Sequence, residues 1–581
     1  MERILAGSLS SIKEEGAKII KGDNHAIAVF YHEGEVHAVD NRCPHMGFPL
    51  HMGSLCDGIL TCHWHHARFD VKSGGTLDPW ADDVPTYPIQ IEEDKVYVSP
   101  IPNQKTTIQK LLRRLREGLE QSLSLVIAKA VVGLVEAGVS PKEISKVGVE
   151  FGTKHRQSGW RSGLTILTAM TNILPKLDKT GQILALYHGL VHVARESAGM
   201  GTRFLLGSLP QSDQEGQSPE TLTKWYRHCV EVRDSQGAER VLLTAIESNW
   251  SNEQIADMML AAVTDHFYIN VGHTLDFHNK AFEMLSHTGN DVRPYVLSSL
   301  LPGISDVSRS EESHSWQSPV NLVKPLHQAF ERLPEQIAMN GDGSINEEAL
   351  FEQILSDDPV KTVNSMMEAL GEGVSPARLA QLVTLAAAER IARFHTQNDF
   401  NDWITVLHTF THAHAVHESL RRSTSVELTR AVFHSAMSIY LDRFLNMPKA
   451  KKPKPEHLES SAHPSELLEM LNKQQQVNQA AKWVVTYLTS GGDKQALFNT
   501  LGHALLREDA EFHSFQMYEA ALMEHDLWED ESSALAERAQ ETMIIAMTRY
   551  LAAHAPTHRE TPHMATIAMR LHRGEKLFEE D

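Results

Sequence analysis

Four side chains between residues 43 and 65 have the types and the spacing of metal ligands. In the segment "CPHMGFPLHMGSLCDGILTCHWHHARFD", one residue separates Cys43 from His45, sixteen residues separate His45 from Cys62, and two residues separate Cys62 from His65. Thiolates and imidazoles both suit iron, and two such loops can hold a [2Fe-2S] unit from both sides, with the Cys pair on one iron and the His pair on the other. A zinc site is the alternative, but Cys₂His₂ zinc ligands usually come as a Cys pair followed by a His pair.

This segment resembles the two ligand boxes of the Rieske family, "CPHMG" and "CHWHHARFD", and the resemblance covers residues 1 to about 100. It implies a [2Fe-2S] cofactor bound by Cys43, His45, Cys62 and His65. One departure is His66, which stands where the family usually has Gly after its second His. Respiratory-chain members carry an extra Cys pair that bridges the loops. Here Cys56 stands alone, which favours the ferredoxin or oxygenase-type branch.

Several further His residues, among 33 in the chain, occur at helical spacing. Residues at i and i+4 lie on one helix face and can share a metal. "YHGLVHVARE" places His188 and His192 in this way, and "LHTFTHAHAVHE" places His408 and His412. We expect a second, non-haem iron site, with its ligands drawn from a candidate set: His188, His192, His273, His408, His412 and His513, with His266 as the substitute.

Residues from about 125 to 530 resemble, more sparsely, the questin oxidase family of helical non-haem iron oxygenases, which cleave aromatic polyketide rings. The similar segments are "YHGLVHVARE", "FYINVGHTLDF", "VLHTFTHAHAV" and "DAEFHSFQMYEAAL". The resemblance implies a mostly His-ligated metal. Asn270 stands where the family has His, and Gln516 stands where it has Lys, so the ligand set can differ.

A standard Rieske oxygenase is the main rival. Its Asp-x-x-His-x4-His motif has a counterpart in Asn270, His273 and His278, with Asn in the Asp place. The catalytic domain of that family is built on a large antiparallel sheet, whereas the chain after residue 105 has helical patterns almost throughout. We therefore interpret the match as chance.

Composition limits the possible partners and location. The net charge of −21 argues against nucleic acid or an anionic membrane surface as the main partner. No apolar run reaches the length of a membrane span, and "MERILAGSLSSIKEEG" becomes charged too early for a signal peptide. With four Cys, two of them in the motif, a disulfide framework is not expected. We expect a cytoplasmic protein.

The predicted fold class is α+β multidomain: a small all-β Rieske domain followed by a large, internally duplicated all-α domain. Short β-rich runs such as "AKIIK", "AIAVFY", "EVHAVD" and "KVYV" fill residues 1–104. Helical patterns then define one half at 105–302, an irregular linker at 303–360 and a second half at 361–581. Segment 155–172 aligns with 395–412, 185–196 with 431–442 and 276–284 with 511–519, at offsets near 240, which predicts the duplication.

These features together predict an oxygenase, an oxidoreductase that uses O₂ on a small organic substrate, aromatic or polyketide-like by the resemblance. Since no Gly-rich dinucleotide motif follows a strand, the electrons should come from an external NAD(P)H-dependent reductase or ferredoxin. If the cluster lies too far from the helical site of its own chain, the next subunit has to supply the electron path, so we expect a homo-oligomer, for which closed symmetry is the usual form. The alternative is a non-enzymatic electron-transfer or redox-sensing protein whose helical part is a docking scaffold.

Overall fold

The computed structural model describes most of the chain, namely residues 3–22, 26–103, 107–155, 159–210, 218–305, 307–339, 341, 343–423, 425–456, 463–575 and 577. The chain forms two compact units. One contains Met1–Val147 and Glu560–Asp581, and the other contains Gly148–Arg559. The small β domain followed by a large all-helical region, predicted from the sequence, is confirmed.

The strands are β1 Ile4–Ser8, β2 Ala17–Lys21, β3 Ala26–His32, β4 Glu35–Asp40, β5 Ser54–Cys56, β6 Ile59–Thr61, β7 Arg68–Asp70, β8 Ile89–Glu92 and β9 Lys95–Val98. The α-helices are α1 Leu9–Glu15, α2 Ile108–Glu120, α3 Ser124–Glu136, α4 Pro141–Lys154, α5 Ser162–Ile173, α6 Lys179–Ser197, α7 Pro219–Glu231, α8 Ser235–Glu247, α9 Asn252–Thr264, α10 His273–Thr288, α11 Arg293–Ser298, α12 Pro302–Ser305, α13 His314–Gln317, α14 Val323–Ile337, α15 Glu347–Ile354, α16 Pro359–Gly371, α17 Pro376–Ala392, α18 Phe400–Arg422, α19 Val426–Asp442, α20 Ser465–Met470, α21 Val477–Thr489, α22 Lys494–Leu506, α23 Phe512–Glu529, α24 Ala534–Ala553 and α25 Glu560–His572. Short 3-10 helices occur at Leu50–Met52, Leu174–Lys176, Ile269–Gly272, Asn290–Val292 and Ser310–Glu312.

The β strands of the first unit form antiparallel three-stranded sheets in the orders β1-β9-β8, β2-β3-β4 and β5-β6-β7. Strand β3 is apolar on both faces because it lies between two cores. Ala28 and Phe30 pack into one core together with both ligand-type thiols, those of Cys43 and Cys62. Ile27, on the opposite face of the strand, packs into the other core. The strand thus explains why "AIAVFY" is a continuous hydrophobic run rather than an alternating one.

Helices α2, α3 and α25 belong to the same unit as the β strands. Lys110 and Arg114 on α2 form ion pairs of 2.8 Å with Asp83 and Asp82, and α25 packs against α3. The unit therefore extends beyond the predicted boundary at residue 104. It also includes Glu560–Asp581, the end of the segment predicted as the second helical half, 361–581. Such contacts join residues far apart in sequence, and no local pattern marks them.

The predicted irregular linker at 303–360 also differs from the structure. It contains α14, whose narrow apolar stripe of Leu326, Ala329 and Leu333 is buried, and α15. Pro334 lies inside α14, and proline is normally a sign that a helix ends. This residue makes the segment look more irregular than it is.

Four helices form the centre of the second unit. Helix α5 packs against α10 and α23, and α18 packs against the same two helices. The residues from Val406 to Leu420 of α18 are almost all buried, as expected for a helix enclosed on every side. The similar segments noted in the sequence lie on α5 and α18, α6 and α19, and α10 and α23, in that order. This order agrees with an internal duplication, which stays a prediction.

A buried ion pair network joins three of these helices. The ammonium of Lys280 on α10 lies 3.0 Å from the carboxylate of Glu283 and 2.6 Å from that of Glu519 on α23. Asn172 on α5 donates to both carboxylates, at 2.8 and 2.7 Å. Lys280 and Glu519 are 1% and 0% exposed, so each charge depends on its partners for stabilisation.

Among the residues that the structure describes, no helix is both long enough and apolar enough to cross a bilayer.

Replacing Lys280 by Met should lower the free energy of unfolding of the helical unit by about 3–5 kcal/mol, because two buried carboxylates lose their counter-charge. Lys494→Met is the matched control, since Lys494 pairs with Glu529 at 3.2 Å on the surface. It should cost less than about 1 kcal/mol. Chemical denaturation followed by far-UV circular dichroism measures both. Equal effects for the two variants would contradict a stabilising role of the buried network.

Candidate metal centres

Two loops of the small unit bring the Cys-x-His and Cys-x-x-His ligands together. The first loop follows β4, and the second connects β6 to β7. The side chains of Cys43 and Cys62 are 2% and 1% exposed, and their thiols are hydrogen-bonded to each other. His45 is half-buried, His65 is exposed, and the centroids of their rings are 4.8 Å apart. The thiols thus lie on the inside and the imidazoles toward the surface.

The donor set fits a metal cluster. The thiol of Cys43 and the backbone N–H groups of Trp64 and His65 lower the pKa of Cys62 to about 6, so this side chain readily becomes a thiolate. Burial lowers the pKa of His45 to about 4 and keeps its imidazole neutral. The Nδ1 atom of His45 is buried without a hydrogen-bond partner among the described residues. A buried ring nitrogen without a hydrogen-bond partner, next to two paired thiols, is the donor arrangement expected of a metal site.

The two ligand loops share one backbone arrangement. The carbonyl of Cys43 accepts from the N–H of Gly47 at 2.7 Å, and the carbonyl of Cys62 accepts from that of His66 at 3.0 Å. Gly47 has φ +87° and His66 has φ +61°. The second loop therefore places an imidazole side chain in a left-handed conformation that favours Gly. The sequence departure at His66 is a point of backbone strain.

A third segment covers the ligand His45. The indole of Trp80 lies edge-on to that imidazole, with ring centroids 4.7 Å apart. The guanidinium of Arg114 on α2 donates to the carbonyls of Pro79 and Ala81, both at 3.1 Å, and so fixes the segment on either side of Trp80. Helix α2 thereby takes part in shaping the ligand environment. No local sequence pattern indicates this contact.

In the helical unit, three of the six candidate His residues converge. His273 begins α10, His408 lies in α18 and His513 lies at the start of α23. One ring nitrogen from each lies within 4.8 Å of the other two. The Nε2 atom of His513 is 2.9 Å from that of His408 and 3.4 Å from that of His273. We call these residues the three-His group.

Hydrogen bonds fix which nitrogen of two of these rings is free. The Nδ1 atom of His273 faces the carbonyl of Asn270 at 3.2 Å, and Nδ1 of His513 faces a carboxylate oxygen of Glu511 at 2.6 Å. Both oxygens only accept, so Nδ1 carries the proton in each neutral ring. The Nε2 lone pairs then face each other. Burial lowers the pKa of His273 to about 4 and that of His408 to about 2, so a cation other than a proton fits between these nitrogens at neutral pH.

The turn that precedes His273 is strained. Tyr268, Asn270 and Val271 have φ values of 45°, 51° and 49°, and Gly272 has φ 93°. A left-handed conformation costs about 1–3 kcal/mol at each residue that carries a side chain, and such costs are typical of functional sites. The strained turn directs the Asn270 carbonyl toward the ring of His273. Asn270 thus contacts His273 through its backbone.

A cavity of about 340 Å³ adjoins the three-His group. Its walls combine aromatic side chains with a few polar ones, and they include Trp160, Arg161, His273, Phe277, His278 and Phe512. Its volume and its mixture of aromatic and polar side chains suit a small organic molecule. His278, the last position of the rival motif, faces this cavity, but its Nδ1 lies 2.6 Å from the carbonyl of Thr274 and it is not in the three-His group.

The other candidates lie elsewhere. Nε2 of His188 is 2.9 Å from the carbonyl of Leu506, and His192 packs beside it with ring centroids 6.5 Å apart. Nδ1 of His412 is 2.8 Å from the hydroxyl of Ser435. His266, the substitute, pairs with Glu311 at 2.8 Å. The structure thus narrows the predicted set to His273, His408 and His513.

Comparison with known proteins identifies the N-terminal domain. Residues 2–88 match the model of the Rieske [2Fe-2S] domain. The ferredoxin component of the naphthalene 1,2-dioxygenase/salicylate 5-hydroxylase systems of Ralstonia sp is 36% identical over 92 residues, which are 16% of this chain and 88% of the ferredoxin. The chain therefore belongs to the Rieske [2Fe-2S] family through this domain, and the cofactor of that family is a [2Fe-2S] cluster.

Two further similarities cover only a small part of the chain. Human apoptosis-inducing factor 3 is 42% identical over 66 residues, and this match spans only 11% of either protein. The ferredoxin of carbazole 1,9a-dioxygenase from Nocardioides aromaticivorans IC177 is 23% identical, with a TM-score of 0.17, and the match covers 17% of this chain and 100% of that ferredoxin. These similarities therefore do not extend to the activity of the whole protein.

Cys43→Ser should abolish the red-brown colour and the low-temperature EPR signal of the reduced cluster, because it removes a buried ligand. Cys56→Ser is the control: Cys56 is an exposed thiol at the end of β5, and its replacement should leave both signals intact. A colourless wild-type protein that holds stoichiometric zinc after anaerobic reconstitution with iron and sulfide would contradict the assignment.

His66→Gly should raise the free energy of unfolding of the small unit by about 0.5–1 kcal/mol, because Gly adopts a left-handed φ without strain. The visible circular dichroism of the cluster, recorded during heating, reports the unfolding transition of this unit. Gly47→Ala, at the equivalent place in the first loop, should have the opposite effect, since its φ is +87° and a Cβ atom would lie 3.2 Å from Leu571. The account of this loop fails if His66→Gly is the less stable protein.

Proposed function

We propose that the protein is a non-haem iron oxygenase in which the Rieske cluster delivers electrons to an iron bound by His273, His408 and His513. The substrate is a small organic molecule, aromatic or polyketide-like, that occupies the cavity beside His273. An external NAD(P)H-dependent reductase or ferredoxin supplies the electrons. We further propose a cytoplasmic homo-oligomer.

The observation that carries this proposal is the convergence of three Nε2 atoms, two of which have their opposite nitrogens bonded to acceptor oxygens. Metal-binding His residues almost always have this arrangement, in which a carboxylate or carbonyl holds the Nδ1 proton and orients the ring. Imidazole ligands suit iron, zinc, copper and nickel. A one-electron donor in the same chain favours a metal that changes its oxidation state, and among these metals we choose iron.

When bound, iron would supply the redox chemistry that activates O₂. The chain's own residues perform the remaining tasks. Glu511 and the carbonyl of Asn270 hold the Nδ1 protons of their His partners and keep both Nε2 atoms free. The aromatic walls of the cavity, Phe277 and Phe512, exclude water and bind the substrate through apolar contact.

Asp276 could hold a proton close to this site. It lies one turn along α10 from His273, it is fully buried, and it accepts a hydrogen bond from Gln516, which lies one turn along α23 from His513. Burial raises the pKa of Asp276 to about 7, so the carboxyl is partly protonated at neutral pH. In our proposal it stores a proton for reduction of O₂. Gln516, which stands where the helical family that this sequence resembles has Lys, positions this carboxyl.

A second candidate function is electron transfer without catalysis. It is favoured by one finding, that the Ralstonia relative named above is a ferredoxin component matched over 88% of its own length. In this alternative the helical unit is a docking scaffold. The two proposals differ in their metal content: the scaffold requires two irons per chain and the oxygenase requires more.

His408→Ala combined with His513→Ala should reduce the iron content from about three per chain to about two, because two of the three proposed ligands are lost. Metal analysis and iron quantification on the purified protein measure this. The EPR spectrum of the reduced cluster should not change. Consumption of O₂ in the presence of substrate and reductase should disappear.

Two single variants serve as controls. His188→Ala removes a buried imidazole that the structure places outside the three-His group, and His503→Ala removes a ring that pairs with Asp178 at the surface. Both should keep the additional iron. If the double variant also keeps it, or if the wild-type protein holds only two irons, the oxygenase proposal is refuted and the electron-transfer alternative remains.

A further inference from the structure

Lys129, on helix α3, contacts the first ligand loop of the cluster. Its ammonium donates to the carbonyl oxygen of Pro44 at 2.8 Å and lies 2.7 Å from a carboxylate oxygen of Asp82. The side chain is 14% exposed, so solvent screens its charge only in part. Pro44 is the residue between the ligands Cys43 and His45. Lys129 lies outside residues 2–88, the part of the chain that matches the Rieske domain.

The contact with Pro44 reaches a cluster ligand through one peptide group. The carbonyl of Pro44 and the N–H of His45 belong to the same peptide unit, and this N–H donates to the sulfur of Cys43. A cation that binds the carbonyl oxygen polarises the peptide and makes its N–H a stronger donor. Stronger hydrogen bonds to cluster sulfurs, and nearby positive charge, both favour the reduced state of an iron–sulfur centre.

The charges around Lys129 do not cancel its effect. Asp82 is shared between Lys129 and Arg114, whose guanidinium lies 2.8 Å from the other carboxylate oxygen. Arg114 also bonds Glu117 at 2.7 Å. The four groups sum to zero charge, but Lys129 alone donates to the ligand loop.

We infer that Lys129 raises the reduction potential of the [2Fe-2S] cluster from outside the Rieske fold, through the Pro44–His45 peptide and through its charge. The step concerned is the uptake of one electron by the oxidised cluster from an external reductase, in which no bond is formed or broken. Lys129 is a positioning residue, since it acts on the cluster through the peptide. The inference requires only the cluster, and it holds for an oxygenase and for an electron carrier alike.

The chain offers a matched control pair. Lys110 on α2 forms a 2.8 Å ion pair with Asp83, the neighbour of Asp82, and so attaches a helix to the same segment. No described contact joins Lys110 to the ligand loops. Lys129→Met and Lys110→Met therefore remove the same side-chain charge and a comparable helix contact. The two variants differ because only Lys129→Met also removes a hydrogen bond to the carbonyl of Pro44.

The test is an EPR-monitored redox titration of the full-length protein. Lys129→Met should lower the midpoint potential of the cluster, and Lys110→Met should leave it at the wild-type value. Asp82→Asn should raise it, because the charge of Lys129 then lacks its counter-ion. The g-values of the reduced cluster should stay the same in all three variants, since the ligands are unchanged.

Two results would overturn the inference. One is a Lys129→Met potential equal to or above that of the wild type. The other is an equal downward shift in Lys129→Met and Lys110→Met, which would indicate a general loosening of the helix contacts. If Lys129→Met assembles too little cluster to titrate, Lys129→Gln and Asp82→Asn provide the answer: the first must lower the potential and the second must raise it.

Discussion

The ammonium of Lys280, buried between Glu283 and Glu519, sets the alignment of the helices that carry the second candidate site. A buried charge without its partners is strongly destabilising, so α10 and α23 can pack only with Lys280 opposite Glu519. His273 lies seven residues before Lys280 and His513 six residues before Glu519, in each case about two helical turns. The register that pairs the charges also brings the Nε2 atoms of the two imidazoles to 3.4 Å from each other. Asn172 on α5 completes the network and fixes a third helix.

The two candidate centres hold their ligands in different ways. In the small unit, buried thiols and outward imidazoles come from two short loops with matching backbone hydrogen bonds, so the ligand geometry is local. In the helical unit, three imidazoles come from separate helices, and acceptor oxygens on Asn270 and Glu511 fix the free nitrogen of two of them. The first arrangement suits a cluster that exchanges single electrons. With three protein ligands, the second would leave coordination positions open on the proposed iron, as the proposed O₂ chemistry requires.

Features encoded over short distances could be predicted from the sequence. The runs at 17–21, 26–31, 35–40 and 95–98 are predictable as strands because each is a short β-rich run next to turn residues. The family to which Cys43, His45, Cys62 and His65 belong was recognised from their spacing. The choice among six His residues could not be made in this way. His408 and His513 are 105 positions apart, and the carbonyl that binds His188 is 318 positions from it. The contact between Lys129 and Pro44 could not be predicted either, because it joins residues 85 positions apart.

The central claim is that the Nε2 atoms of His273, His408 and His513 bind iron in addition to the cluster. X-ray diffraction data collected above and below the iron absorption edge test it most directly, because the anomalous difference identifies the element at each position. The account predicts iron peaks at the cluster, between Cys43 and His65, and one further iron peak bonded to the three Nε2 atoms. A crystal of the iron-loaded protein with peaks at the cluster only, or with zinc in place of iron at the three-His group, would contradict it.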